Sequence, residues 1–165
     1  MNAPTSASIS HTSSRSLVIG SYLLAIILDA MLLSSPLYWL PPISLLVVIY
    51  WSTENLTQTF IPSAFILGLI YDALNQSLLG LHALLFSLFL FLILRFRLRF
   101  RLFTFVQQAL TLIPFCFLYQ GLLWFLIPHP LTAESLWLYW LSPFSLLLLW
   151  PILAMPLRHL SLKAA

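Results

Sequence analysis

Every lysine and arginine of this chain, Arg15, Arg95, Arg97, Arg99, Arg101, Arg158 and Lys163, stands at the edge of a long apolar run and none inside one. No other feature constrains folding as much, because apolar runs bracketed by cations are what a chain threaded through a bilayer requires. Of 165 residues, 61% are hydrophobic and 7% charged, whereas a soluble domain coats itself with about a quarter of its residues charged. Backbone immersed in lipid must satisfy its polar groups internally, which leaves helices or closed barrels. The run 78–94 lacks the apolar and polar alternation of barrel strands. The expected fold class is therefore all-α, a polytopic integral membrane helical bundle.

A helix needs roughly 20 apolar residues to cross a core of about 30 Å. Six segments qualify, 17–37, 42–53, 60–74, 78–94, 103–127 and 136–155. The second and third are short. At 1.5 Å per residue the second covers only ~18 Å, so it must borrow flanking residues, thin the bilayer or form a half-span. Residues 1–16, rich in Ser, Thr and Ala, read as a disordered cytoplasmic tail, 17–157 as one six-helix transmembrane domain and 158–165 as a second cytoplasmic tail. The first apolar run is too long for a signal-peptide core and is read as an uncleaved span.

Charge parity sets the orientation. Lys and Arg near span ends favour the cytoplasm, so Arg15 and the Arg95 to Arg101 row belong on one side, with an even number of crossings between them. Four crossings meet this condition. A re-entrant alternative would place Glu54 and Asn55 near mid-bilayer, at a cost of roughly 2.5 to 3.5 kcal/mol for the acid. Two further crossings return the chain to Arg158 and Lys163, which gives both termini to the cytoplasm. Trp39, Trp124, Trp137 and Trp140 then fall at outer span ends, and Trp51 and Trp150 at inner ones. Pro128 and Pro130 fall in the outer loop, while Pro114, Pro143 and Pro151 predict kinks in the fifth and sixth spans.

The formal charge of +3 is too small, and its residues too dispersed along span ends, for a nucleic-acid surface. Cys116 stands alone in an apolar run and reads as a small buried hydrophobe. No nucleophile elbow, phosphate loop or metal signature is present, so neither catalysis nor a cofactor is expected.

Intramembrane ionisable groups are costly and mark sites. Asp29 and Asp72 both fall on the outer side of the midplane, and His82, at the start of the fourth span, lies at a neighbouring depth. They form either a polar cluster for a proton, cation or polar ligand, or hydrogen bonds between helices and loops. Ala64, Gly68 and Asp72 recur every fourth residue, and Gly80, Ala83 and Ser87 give the fourth span a comparable small face; each permits close helix approach, within the bundle or to another protein. The alternating Arg95, Arg97, Arg99 and Arg101 read as a cytoplasmic anchor joining two spans, with a partner or anionic lipid as a further use. Thr104, Gln107, Gln108 and Thr111 give the fifth span a hydrogen-bonding edge.

Several stretches resemble a known family. Pro42 to Trp51 in the second span, Gly68-Leu-Ile-Tyr-Asp72 followed by Gly80, Gln107-Gln108-Ala109-Leu110, and Leu149-Trp150-Pro151 with Arg158 are similar to the rod shape-determining protein MreD family of the bacterial cytoplasmic membrane. The resemblance implies a non-catalytic subunit of the peptidoglycan elongation machinery that pairs with a bitopic MreC-like protein. Through it, MreB filaments would be connected to RodA and a penicillin-binding transpeptidase. Asp29, the Ser- and Thr-rich tail and the arginine row have no role implied by it. A vitamin-binding subunit of an energy-coupling factor transporter, whose substrate-binding component has a similar six-helix architecture, is the alternative; a purely structural helper is a third.

Overall fold

The computed structural model describes the backbone of residues 6–33, 40–54, 60–126 and 133–164, and the side chains of 16–33, 40–54, 60–126 and 136–160. Trp39, Asn55, Pro128, Pro130 and the first five residues lie outside the described residues. The described chain is helical: α1 Ser6–Leu33, α2 Ile43–Glu54, α3 Ile61–Asn75, α4 Leu81–Leu102, α5 Phe105–Leu126, α6 Ala133–Leu141 and α7 Leu146–Ala164, with a 3₁₀ turn at Ser142–Ser145 joining the last two. Four stretches are long and apolar enough to cross a membrane, Ser16–Leu33, Leu81–Leu102, Phe105–Leu126 and Leu136–Leu160. The last combines α6, the turn and α7. The two shorter apolar helices, α2 and α3, are the two segments expected to be short.

The shorter of these two helices is the most enclosed. All of Ile43 to Thr53 in α2 is buried, and α1, α3, α4 and α7 surround it. A helix apolar all round belongs in a core. Because neighbouring helices rather than lipid tails coat α2, its length need not match the hydrocarbon thickness. Two of its polar side chains turn back on their own helix: Ser52 Oγ donates to the Ile49 carbonyl at 2.9 Å and Thr53 Oγ1 to that of Tyr50 at 2.9 Å.

Three expectations are corrected. Helix α1 begins at Ser6, inside the stretch expected to be a disordered tail, because extending an established helix adds a hydrogen bond for each residue fixed. Helix α7 runs through Pro156 to Ala164, so Arg158 is helical rather than part of a tail. The arginine row is not a connection between spans but the last two turns of α4. Arg and Leu are strong helix formers, and cations are favoured at a helix C-terminus. On a helix, residues two apart are separated by about 200°. The alternation therefore sends Arg95 and Arg99 to one side and Arg97 and Arg101 to the other, while Phe100 between them is buried.

Helix α4 stops where α5 is capped. Thr104 precedes α5, and Gln107 Oε1, three residues later, accepts the Thr104 backbone N–H at 3.0 Å, half of a capping box. Prolines 114 and 151 lie inside α5 and α7 as expected. Pro143 breaks its span into α6 and α7 through the 3₁₀ turn rather than merely kinking it. That break is tied to α5: Gln120 Nε2 donates to Ser142 Oγ at 2.6 Å and Tyr139 Oη to the Gln120 carbonyl at 2.8 Å.

Candidate functional site

Asp72 leaves the last turn of α3 fully buried, and the sequence folds so that it faces the beginning of α4. The chain turns between them over Gln76 to Gly80, with Gln76 at φ 51° and Gly80 at φ 98°. Gly80 has open space around its α-carbon, so its requirement is conformational: a side chain is strained at that φ. The turn brings the first N–H groups of α4, which have no intrahelical partner, onto the Asp72 carboxylate. Gly80 N–H donates to Oδ2 at 2.8 Å, His82 N–H to Oδ1 at 3.0 Å and Ala83 N–H to Oδ2 at 3.4 Å. Ser77 Oγ donates to Oδ1 at 2.8 Å, and His82 Nδ1 lies 2.6 Å from the same oxygen.

Asp72 is thus an N-cap supplied by the preceding helix, with five donors on two oxygens. The negative carboxylate also complements the positive end of α4. The His82 ring is walled by aromatic groups, Tyr71 at 4.9 Å and Phe86 and Tyr119 at 6.3 Å between centroids. A cation or polar ligand at Asp72 would have to displace the donors that begin α4.

The two small faces meet each other. Ala64 and Ala83 are fully buried, and a Cβ added at Gly68 would collide with the backbone of Ala83 and His82, under 3 Å away. Ser87 Oγ returns to the Ala83 carbonyl at 2.8 Å. Ala64, Gly68 and Asp72 therefore form, with Gly80 and Ala83, the inside of an α3–α4 hairpin rather than an open surface.

Asp29 does not join this group. It leaves the last turns of α1, which ends at Leu33, and accepts Ile43 N–H at 2.7 Å and Ser44 N–H at 2.9 Å, which caps α2. The sequence-level grouping of Asp29, Asp72 and His82 thus resolves into two separate caps, one of which includes the histidine.

At the opposite end of α4 lies the basic side. Arg101 reaches Glu54 of α2 at 3.9 Å, and the Arg158 guanidinium lies 5.6 Å from the Phe105 ring centroid. Gln108 is central here: its Oε1 accepts Trp150 Nε1–H at 2.9 Å and its Nε2 donates to the Phe100 carbonyl at 3.1 Å. Trp51 makes a similar link, donating to Ser21 Oγ at 2.8 Å. Both tryptophans are buried locks between helices, whereas Trp124, Trp137 and Trp140 are exposed. Sequence reading placed these indoles at span ends but missed their partners. The Thr104-x-x-Gln107 spacing was a legible capping signal; the Gln108 to Trp150 pairing had none, since it joins residues far apart in the chain.

The family model for the rod shape-determining protein MreD matches residues 11–160. A rod shape-determining protein MreD from Haemophilus influenzae is 34% identical over 119 residues, which cover 72% of this chain and 73% of that protein. No solved structure matches the chain. With the match running from the second turn of α1 to the last turns of α7, and with four stretches among the described residues long and apolar enough to cross a membrane, this chain belongs to the MreD family of rod shape-determining membrane proteins.

Proposed function

We propose that the protein is a non-catalytic subunit of the machinery that builds peptidoglycan during elongation of a rod-shaped cell, embedded in the cytoplasmic membrane with both termini inside. In this role it binds an MreC-like single-pass partner and so connects MreB filaments to RodA and a penicillin-binding transpeptidase. The observation that carries this reading is the family match over residues 11–160. The described residues add a physical basis: nearly all of the folded mass is apolar helix, so contacts with other proteins fall within the membrane or at its surfaces.

The α3–α4 hairpin is the element assigned to the partner. Its small and acidic residues are consumed in pairing the two helices, so they act by setting the shape of the hairpin. The contact itself falls to its outer rows, Phe65, Ile66 and Ile70 on α3 and Leu84, Leu88 and Phe91 on α4, all exposed. A vitamin-binding role would need Asp29, Asp72 and His82 free to meet a ligand, and their hydrogen bonds to helix ends leave little for one.

Recovery of partners from membranes in mild detergent tests the proposal. Wild-type protein is expected to bring down cell-wall synthesis proteins, and Ile66→Trp with Leu84→Trp to reduce that recovery at least severalfold with unchanged insertion. Recovery of no such protein would overturn the assignment to the complex; undiminished recovery by the double variant would overturn the hairpin surface.

A further inference from the structure

The ends of α2, α4 and α7 and the start of α5 enclose a cleft of about 400 Å³ lined by Thr53, Glu54, Arg101, Thr104, Gln108 and Arg158. None of the stretches that carry the family resemblance accounts for it, except that Gln108 and Arg158 belong to them. We propose that this cleft binds the headgroup of an anionic phospholipid from the leaflet on the basic side of the bundle, its phosphodiester held between Arg101 and Arg158.

Four observations converge on that ligand. Among the described residues that line the cleft, two guanidinium groups accompany one carboxylate, an excess of basic side chains. The Arg101 to Glu54 approach is long at 3.9 Å and both side chains are over one-third exposed; such a pair contributes little and yields readily to a phosphate that matches the guanidinium fork. The floor is held by hydrogen bonds, because Gln108 is spent on Trp150 and on the Phe100 and Phe103 carbonyls. Finally, Leu102 and Phe103 beside the cleft are exposed, which puts an apolar rim next to a polar basin at the level where helices leave the hydrocarbon. A diester anion with its acyl chains lying along such a rim fits both halves. A zwitterionic headgroup brings an ammonium into a basin with an excess of arginine.

The arginine row divides accordingly. Arg101 lines the cleft, whereas Arg95 and Arg99 are exposed on the other side of α4 and supply only general attraction to an anionic surface.

Native mass spectrometry of the purified full chain, titrated with phosphatidylglycerol and with phosphatidylethanolamine of the same acyl composition, tests this. Wild type is expected to bind the first at least tenfold more tightly, and Arg101→Gln with Arg158→Gln to lose most of that preference. The control Arg95→Gln with Arg99→Gln removes the same charge outside the cleft and is expected to retain it. Equal binding of the two lipids by wild type overturns the proposal, as does an equal loss in both double variants, which would indicate diffuse surface charge. Helical content by circular dichroism shows that each variant is folded. Partner recovery is not read in this experiment, so its outcome is independent of the role in the elongation complex.

Discussion

Asp29 and Asp72 do the same job in two successive hairpins. Each leaves the final turns of one helix, is buried, and accepts the leading N–H groups of a helix that follows: Ile43 and Ser44 for Asp29, Gly80, His82 and Ala83 for Asp72. Protein packing, not water, surrounds these helix ends, since Asp29 and Asp72 are both buried, so a carboxylate delivered from next door satisfies groups that would otherwise cost a few kcal/mol apiece.

The Asp72 cap should dominate the stability of the α3–α4 hairpin. Asp72→Asn retains one acceptor but turns an amide donor toward a cluster of donors, and is expected to lower unfolding free energy by about 2 kcal/mol. Denaturant titration of the purified protein in detergent measures it. An unchanged midpoint would contradict the cap.

Gly68 and Gly20 should respond oppositely to the same change. The Gly68→Ala methyl meets the backbone of Ala83, which cannot rotate away, and overpacking of this kind costs about 1 to 3 kcal/mol. Gly20 has nothing within 4 Å, so Gly20→Ala should be neutral or slightly stabilising through helix propensity. Thermal melts of the two variants side by side give the comparison; equal losses would refute the close approach of α3 and α4.

Removal of the first cap should fray α2 locally. In Asp29→Ala the amides of Ile43 and Ser44 lose their acceptor, and hydrogen exchange there should accelerate by about tenfold or more. Exchange in α4 should stay as in wild type, because its own cap is intact.

The Gln108 to Trp150 bond ties α5 to α7. A double-mutant cycle of Gln108→Leu and Trp150→Phe should yield a coupling energy of about 1 kcal/mol. Additive effects would mean that the bond contributes nothing beyond packing.

The turn after α3 and the end of α4 should lie on opposite faces of the membrane. Leu79 and Leu102 are both exposed, so single cysteines there, in a Cys116→Ala background, should react with an impermeant maleimide from opposite sides. Labelling from one side alone would rule out α4 as a span.

Much of this protein was fixed by composition and order alone. Six apolar segments, the shortness of two of them, and the position of every cation at the edge of an apolar run are read directly from the residues, and helical backbone follows because polar groups immersed in lipid must be satisfied internally. Asp72, His82, Gly68 and Gly80 also stood out, because an acid, an imidazole and small residues at helical spacing are conspicuous against leucine. Only the tertiary structure decided what they do. Whether a small face pairs internally or meets another protein depends on which helix lies across from it, and one-dimensional spacing does not encode that choice. The same holds for α2, a segment too short for lipid until its neighbours enclose it. It holds again for the arginine row, whose alternation in sequence looked like one feature and became two faces once the backbone continued as a helix.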